Sequence, residues 1–309
     1  KEYRRQRQMC IRDSACNAKC IMCPQPEMDR KKENMSFDVL QKVVDDCKGK
    51  PLKKINLFWM GDSTVDKNMI EKIRIIRKNL PNVKLYLSTN AQLLSEKRSR
   101  ILLEEDLLDV INFDIDGLNK NTFEGIRVKL DFDIVTKNVK YFLNYKKELK
   151  KSIPETRVTI IDMKPTKDEV SGFIAYWSSL ADKVDVNHYN TWGGTQDELN
   201  YDDGHIKDEH HAKLTESTGS GFNFACTHPW EEMVVGADGR IGLCCLDHEL
   251  NEQVGDVKSN SIEEIWQGDV INSYRTKMLN LDYSSIGSCA NCNAHTFQSN
   301  KTWAKLQKN

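Results

Sequence analysis

The chain has 309 residues, 39% of them hydrophobic and 29% charged, with a net charge of −1. That balance is ordinary for a globular protein and argues against partners held by bulk charge, so neither nucleic acid nor a membrane surface is expected. No apolar run approaches the roughly 18 residues that cross a bilayer, and no apolar segment follows the basic start, so the expected location is the cytoplasm.

Residues 1–14 are basic and weakly patterned. Two expectations stand for them: a non-native or truncated N-terminus, or a short strand at residues 9–11 leading into a cysteine loop. Ser36 suits the N-cap of a helix over residues 37–48, with Asp38 near its start. The apolar run 55–60 reads as a buried parallel strand. Met69, Ile70, Ile73 and Ile76 fall at helical spacing and predict a helix over 68–78. Strands are then expected at 83–87, 110–115, 157–162 and 184–188, alternating with helices at 95–105, 132–147 and 167–180. Repeated βα units with buried strands predict an α/β fold on a parallel sheet. Their number predicts a partial barrel of about six strands over residues 15–194. Residues 195–221 are polar and acidic, contain three histidines, and read as a linker. A small second module is expected over 222–309. It opens with a β-hairpin turning at Asp238-Gly239 and carries a short helix from Ser261.

The ten cysteines carry the functional signal. Cys16, Cys20 and Cys23 have the form CxxxCxxC, and none falls between Cys47 and Cys226. Short-spaced thiols in a reducing compartment bind metal. Three thiolates can hold three irons of a [4Fe–4S] cube and leave the fourth iron open to an exchangeable ligand. A structural zinc site is the competing use of such thiols, and it normally takes four ligands.

This motif, followed by βα units, resembles the radical S-adenosylmethionine (SAM) superfamily. The resemblance implies a TIM-like partial (β/α)6 barrel of the radical SAM type. It implies that the open iron chelates SAM and passes an electron to its sulfonium, releasing a 5′-deoxyadenosyl radical. It also implies a site. Cys16, Cys20 and Cys23 are the ligands, and Met22 packs beside adenine where relatives often have an aromatic residue. Met60-Gly61-Asp62 stands where the family has Gly-Gly-Glu, which assigns Gly61 and Asp62 to the methionine amine. Ser88-Thr89-Asn90 matches the polar strand end near the ribose and carboxylate of SAM, which assigns Ser88 and Asn90. Asp114-Ile115-Asp116-Gly117 stands where the family often has Ser-x-Asp-Gly, which assigns Asp116, and Arg127 matches an Arg that reaches SAM or substrate. The plain alternative for each is a strand-end turn or cap, or, for Arg127, an exposed cation.

Cys226 is followed by twelve residues, Gly239, four residues and Cys244, and Cys289-Ala290-Asn291-Cys292 closes the set. This spacing, with Pro229-Trp230 and Glu264-Ile265-Trp266, resembles the SPASM/twitch auxiliary-cluster modules. No cysteine follows Cys292, which favours the twitch form with one auxiliary cluster. The implied ligands are Cys226, Cys244, Cys289 and Cys292, so the cofactors expected are two [4Fe–4S] clusters and SAM. Cys245 could replace Cys244, but adjacent side chains on a strand point to opposite faces, so both should not ligate one cube. Otherwise Cys245, like Cys47, is expected to be a buried apolar thiol.

A saturated cube accepts or relays electrons. The two longer cysteine gaps are similar to those of the 2-deoxy-scyllo-inosamine dehydrogenases, which oxidise a secondary alcohol of an aminocyclitol. The function implied is an oxidoreductase of a carbohydrate- or aminocyclitol-like alcohol, fed by a reductant such as flavodoxin or ferredoxin. The alternatives are a peptide-modifying or sulfatase-maturing enzyme of the same superfamily, with a peptide substrate, a non-catalytic iron–sulfur electron carrier, and a zinc-binding interaction protein. His188 and Tyr189, at the last strand end, could touch substrate or be ordinary strand-end residues.

Overall fold

Short apolar runs alternating with amphipathic helices build one continuous sheet. The computed structural model describes residues 8–11, 14–190, 192, 199, 225–290 and 292. Strands β1 (Gln8–Ile11), β2 (Lys54–Asn56), β3 (Lys84–Thr89), β4 (Val110–Asp114), β5 (Glu155–Asp162) and β6 (Lys183–His188) pair in parallel, each with the next. Helices α1 (Phe37–Cys47), α2 (Met69–Asn79), α3 (Glu96–Glu104), α4 (Lys120–Ile126), α5 (Phe132–Glu148) and α6 (Val170–Trp177) lie in the crossovers. On its other side β1 pairs in parallel with β7 (Glu232–Val235), and β8 (Arg240–Gly242) and β9 (Gln253–Asp256) follow antiparallel. The order is β6-β5-β4-β3-β2-β1-β7-β8-β9. The sheet is therefore open, with β6 and β9 at its edges: a partial α/β barrel of six strands extended by three more.

Caps place the helices as the sequence leads one to expect. Ser36 accepts Val39 N–H at 3.2 Å to start α1, and Ser95 accepts Arg98 N–H to start α3. The hairpin turn at Asp238-Gly239 forms, with Gly239 at φ +93°, a conformation that favours glycine. Residues 8–11 form a strand in the middle of the sheet, with Met9 opposite both Ile55 and Met233 and fully buried.

Three expectations change. The strand expected at 55–60 ends at Asn56. Beyond it Leu57 N–H still bonds Tyr86 O (2.7 Å), but Ser63 Oγ bonds back to Leu57 O, so residues 57–63 fold over the barrel mouth. The last barrel helix starts at Val170, behind a 3-10 turn at Lys164–Thr166. Helix α4, strand β9 and the helix Asp269–Leu279 are additional elements. The linker expected at 195–221 lies outside the described residues, apart from Leu199.

Candidate active site

The loop after β1 carries the first three thiols and is fixed from several sides. Lys19 N–H bonds Val128 O (2.8 Å), Ile21 N–H bonds Ile126 O (3.0 Å), and the Gln25 amide donates to Ser14 O (2.8 Å). Asp62 N–H donates to Ala15 O (3.0 Å), and a Cβ at Gly61 would stand 2.3 Å from that same oxygen. Only glycine fits where the turn after β2 crosses the cysteine loop.

Cys16, Cys20 and Cys23 line one cavity of about 340 Å³ at the C-terminal ends of the strands. Met22, Gly61, Asp62, Ser88, Asn90 and Arg127 line it with them, so most of the expected site comes together. Burial pushes the Cys16 thiol up to about 11 and the Cys23 thiol up to about 12 in the metal-free chain. Metal ligation requires thiolates, so loading this site releases protons.

The acids are used unequally. Asp62 accepts from Thr64 N and Oγ1 (2.9 and 2.6 Å), from Thr89 Oγ1 and from Asn90 N (2.7 Å). Its carboxylate ties the turn after β2 to the end of β3. Asp116 is fully buried behind Arg127 and is not part of the cavity wall, against the expectation that it faces SAM. It receives Arg127 Nη2 at 2.5 Å and Nε at 2.8 Å, and Ile161 N–H at 2.7 Å. Arg127 is thus no exposed cation. Burial opposes its charge, but Asp116 and the Cys20 sulfur, 3.8 Å away, outweigh that and hold its pKa above the usual value. Asp114 does line the cavity. It accepts from Ser88 Oγ (2.7 Å) and Asn112 Nδ2 (2.8 Å), and burial pushes its carboxyl up to about 6.

Sequence reasoning missed Phe58, Trp59, Asp114, Asn187, Asn190, Trp192 and Leu246, all on the wall. Phe58 and Trp59 lie in a run that reads as strand interior, and no motif marks the others. His188 and Tyr189 do reach the wall. Trp192 Nε1 bonds Met22 O (3.0 Å), closing the last strand end onto the cysteine loop.

A second pocket gathers Cys226, Cys244, Cys289 and Cys292 among Leu243, Leu246, Met278 and Tyr283. Cys226 N–H donates to Tyr283 Oη at 2.7 Å. Cys245 does not line this pocket, and it is not the apolar thiol expected. Its sulfur contacts both Cys244 and Glu232, and the donor atoms of His228, Glu232, Cys244 and Cys245 lie within 4.8 Å of one another. Cys47 is buried in the core.

Residues 14–169 match the family model described as radical SAM superfamily. The chain belongs to the radical SAM superfamily. Residues 226–293 match the model described as an iron–sulfur cluster-binding domain. As a radical SAM enzyme with this added domain, the protein binds [4Fe–4S] clusters and SAM. The residues present fit those groups: three thiols on an open cavity, Cys20 buried and Cys16 and Cys23 half-buried, and four more around a separate pocket.

Similar curated proteins include the tungsten-containing aldehyde ferredoxin oxidoreductase cofactor-modifying protein of Pyrococcus furiosus, 24% identical over 54% of this chain and 46% of that one. GTP 3′,8-cyclase of Desulforamulus reducens is 29% identical over 40% of this chain and 38% of its own. The chain thus spans under half the length of these relatives. Among solved structures, BtrN in complex with AdoMet and 2-DOIA is 17% identical with a TM-score of 0.58, covering 93% of both chains. Streptococcus suis SuiB bound to its precursor peptide is 14% identical with a TM-score of 0.70, over 88% of this chain and 67% of that one. Native anSMEcpe with bound AdoMet is 18% identical with a TM-score of 0.64, over 92% and 88%.

Proposed function

We propose that Cys16, Cys20 and Cys23 hold the cluster that binds SAM, and that Cys226, Cys244, Cys289 and Cys292 hold an auxiliary [4Fe–4S] cluster. The reaction we assign is oxidation of an alcohol on a carbohydrate- or aminocyclitol-like small molecule, with the auxiliary cluster as electron acceptor. One observation carries this reading: Leu246 lines both pockets, and its N–H donates to Cys244 Sγ at 3.5 Å. An electron leaving the first cavity has one residue to cross before it meets an auxiliary-cluster ligand.

When bound, SAM and its cluster supply a 5′-deoxyadenosyl radical that removes a hydrogen atom from a substrate carbon. The chain supplies the rest. Arg127 and the polar ends of β3, Ser88 and Asn90, suit the carboxylate and ribose of SAM. Phe58, Trp59 and Trp192 offer aromatic faces, and Asn187, His188 and Asn190 offer hydrogen bonds, a lining suited to a hydroxylated ring. After hydrogen loss, formation of the carbonyl releases one electron and the hydroxyl proton. The electron goes towards Cys244, and Asp114 is the wall carboxylate we assign as proton acceptor. A flavodoxin or ferredoxin is the reductant we assign to the SAM site.

The test uses sugar alcohols and aminocyclitols deuterated on carbon, incubated with the anaerobically reconstituted enzyme, SAM and reductant. Deuterium should appear in 5′-deoxyadenosine together with a carbonyl product. Deuterium transfer from a peptide, and from none of the alcohols, would replace this substrate class with the peptide-modifying one.

A further inference from the structure

The segment that carries Cys20 alternates its side chains. Cys20 and Met22 line the cavity, while Lys19 and Ile21 face solvent. Two backbone bonds pin this segment to residues 126–128: Lys19 N–H to Val128 O (2.8 Å) and Ile21 N–H to Ile126 O (3.0 Å). In that second segment Arg127 points inward, with Nη1 3.8 Å from the Cys20 sulfur, and Val128 and Lys129 are exposed.

The outer surface so formed is apolar and basic. Ile21 and Val128 are 39% and 38% exposed. Lys19 and Lys129 accompany them, and neither has an ion-pair partner among the described residues. Residues 14–23 contain no acid to offset them. Beside the second segment, Glu124 and Asp131 are occupied by backbone donors, Phe132 N–H (3.1 Å) and Ile134 N–H (2.9 Å).

An electron for SAM cleavage has to come from outside the chain. On the cavity side, SAM and substrate stand in its way. On the outer side, one layer of backbone separates solvent from Cys20. We propose that Lys19, Ile21, Val128 and Lys129 form the docking surface for a flavodoxin, an acidic carrier whose apolar flavin edge is ringed by carboxylates. Apolar side chains flanked by unpaired cations complement that partner in both respects. One electron passes from the reduced flavin to the cluster, and no group is transferred. The inference rests on the reading above that Cys20 ligates the SAM-binding cluster. That reading fails if dithionite does not drive SAM cleavage, whereas the docking surface fails on the response to flavodoxin.

The experiment follows 5′-deoxyadenosine formation by the anaerobically reconstituted full-length enzyme at limiting concentrations of reduced flavodoxin or of dithionite. Wild type is compared with the double variant Lys19→Glu, Lys129→Glu. With flavodoxin at low ionic strength the variant should be about tenfold slower, within the range that steering charges contribute. Added salt slows the wild type and narrows the gap. With dithionite, which needs no docking surface, the two proteins run alike. Equal rates with flavodoxin overturn the proposal. An equal loss with both reductants overturns it too, by making the lysines structural. So does a wild type that is reduced by a ferredoxin and not by flavodoxin. Where the charge reversal lowers iron content, Lys19→Gln with Lys129→Gln, which removes charge and adds none, gives the same comparison with a smaller difference.

Discussion

Asp62, Asp114 and Asp116 stand at the barrel mouth: Asp62 and Asp114 both line the cavity, Asp62 held by Thr64, Thr89 and Asn90, while Asp116 is paired with Arg127 behind the wall. Asn112 and Asp114 share one face of β4 because strand side chains alternate, whereas Asp116 lies past the strand end and turns under to Arg127. Sequence motifs selected Asp62 and Asp116, because a motif records position and not which oxygens the chain itself will occupy. The raised Asp114 has a consequence for stability. A carboxyl held at about 6 in the fold, against an ordinary value of 3.8, binds its proton more tightly folded than unfolded. Its contribution is favourable at low pH and is lost as pH rises from about 4 through about 6. Asp114→Asn removes that loss. Relative to wild type, the variant should gain on the order of 2 kcal/mol between pH 4 and pH 7 in denaturant titrations of the metal-free chain. A difference between the two proteins that does not change with pH would show that Asp114 titrates normally. The thiols were legible where Asp114 was not, since three cysteines within eight residues have few uses and the fold had only to bring them to a cavity.

Strand β1 is the shortest argument for how elements are decided. Four residues carry no periodicity that separates strand from loop, so the sequence left residues 1–14 open. Its identity comes from partners on both sides, β2 and β7, whose contacts lie 46 and 224 residues away along the chain. By contrast, α1, α3 and α5 were legible because caps and apolar spacing are local. The helix Asp269–Leu279 was legible and was missed: Ile271, Arg275 and Met278 are buried at helical spacing, but an Arg in that stripe hides it. Arg275 is inside because its guanidinium caps Trp266 O (2.7 Å) and Pro229 O (2.8 Å). Met9, fully buried between Ile55 and Met233, tests the joint. Met9→Ala should cost about 2–5 kcal/mol, the usual range for emptying a core methionine site. Chemical denaturation should show the barrel and the added strands losing stability together, in one transition. A loss confined to one half would mean that β1 does not couple them.

At the scale of the molecule, the shared sheet is what brings two cysteine clusters to one wall. Strand β1 leads into the first cysteine loop, and its neighbour β7 leads by way of β8 to Cys244 and then to Leu246. Arg30 and Trp59 reinforce the junction: Arg30 lies over the Trp59 ring and donates through Nε to His248 O, while Glu249 accepts Asp29 N–H. Two cubes predict about eight irons per chain after anaerobic reconstitution. Replacing Cys289 and Cys292 together by Ala should remove about half of them and leave the first site able to bind and cleave SAM with dithionite. Substrate oxidation should fall much further than SAM cleavage, because hydrogen removal and electron removal are separate steps served by separate irons. A purely structural second cluster predicts otherwise. Loss of a metal staple lowers the folded fraction, and both activities then fall in proportion to it. The discriminating measurement is the ratio of oxidised product to 5′-deoxyadenosine in wild type and variant. A drop of about tenfold or more in that ratio fits an electron path through Leu246, and an unchanged ratio would refute it.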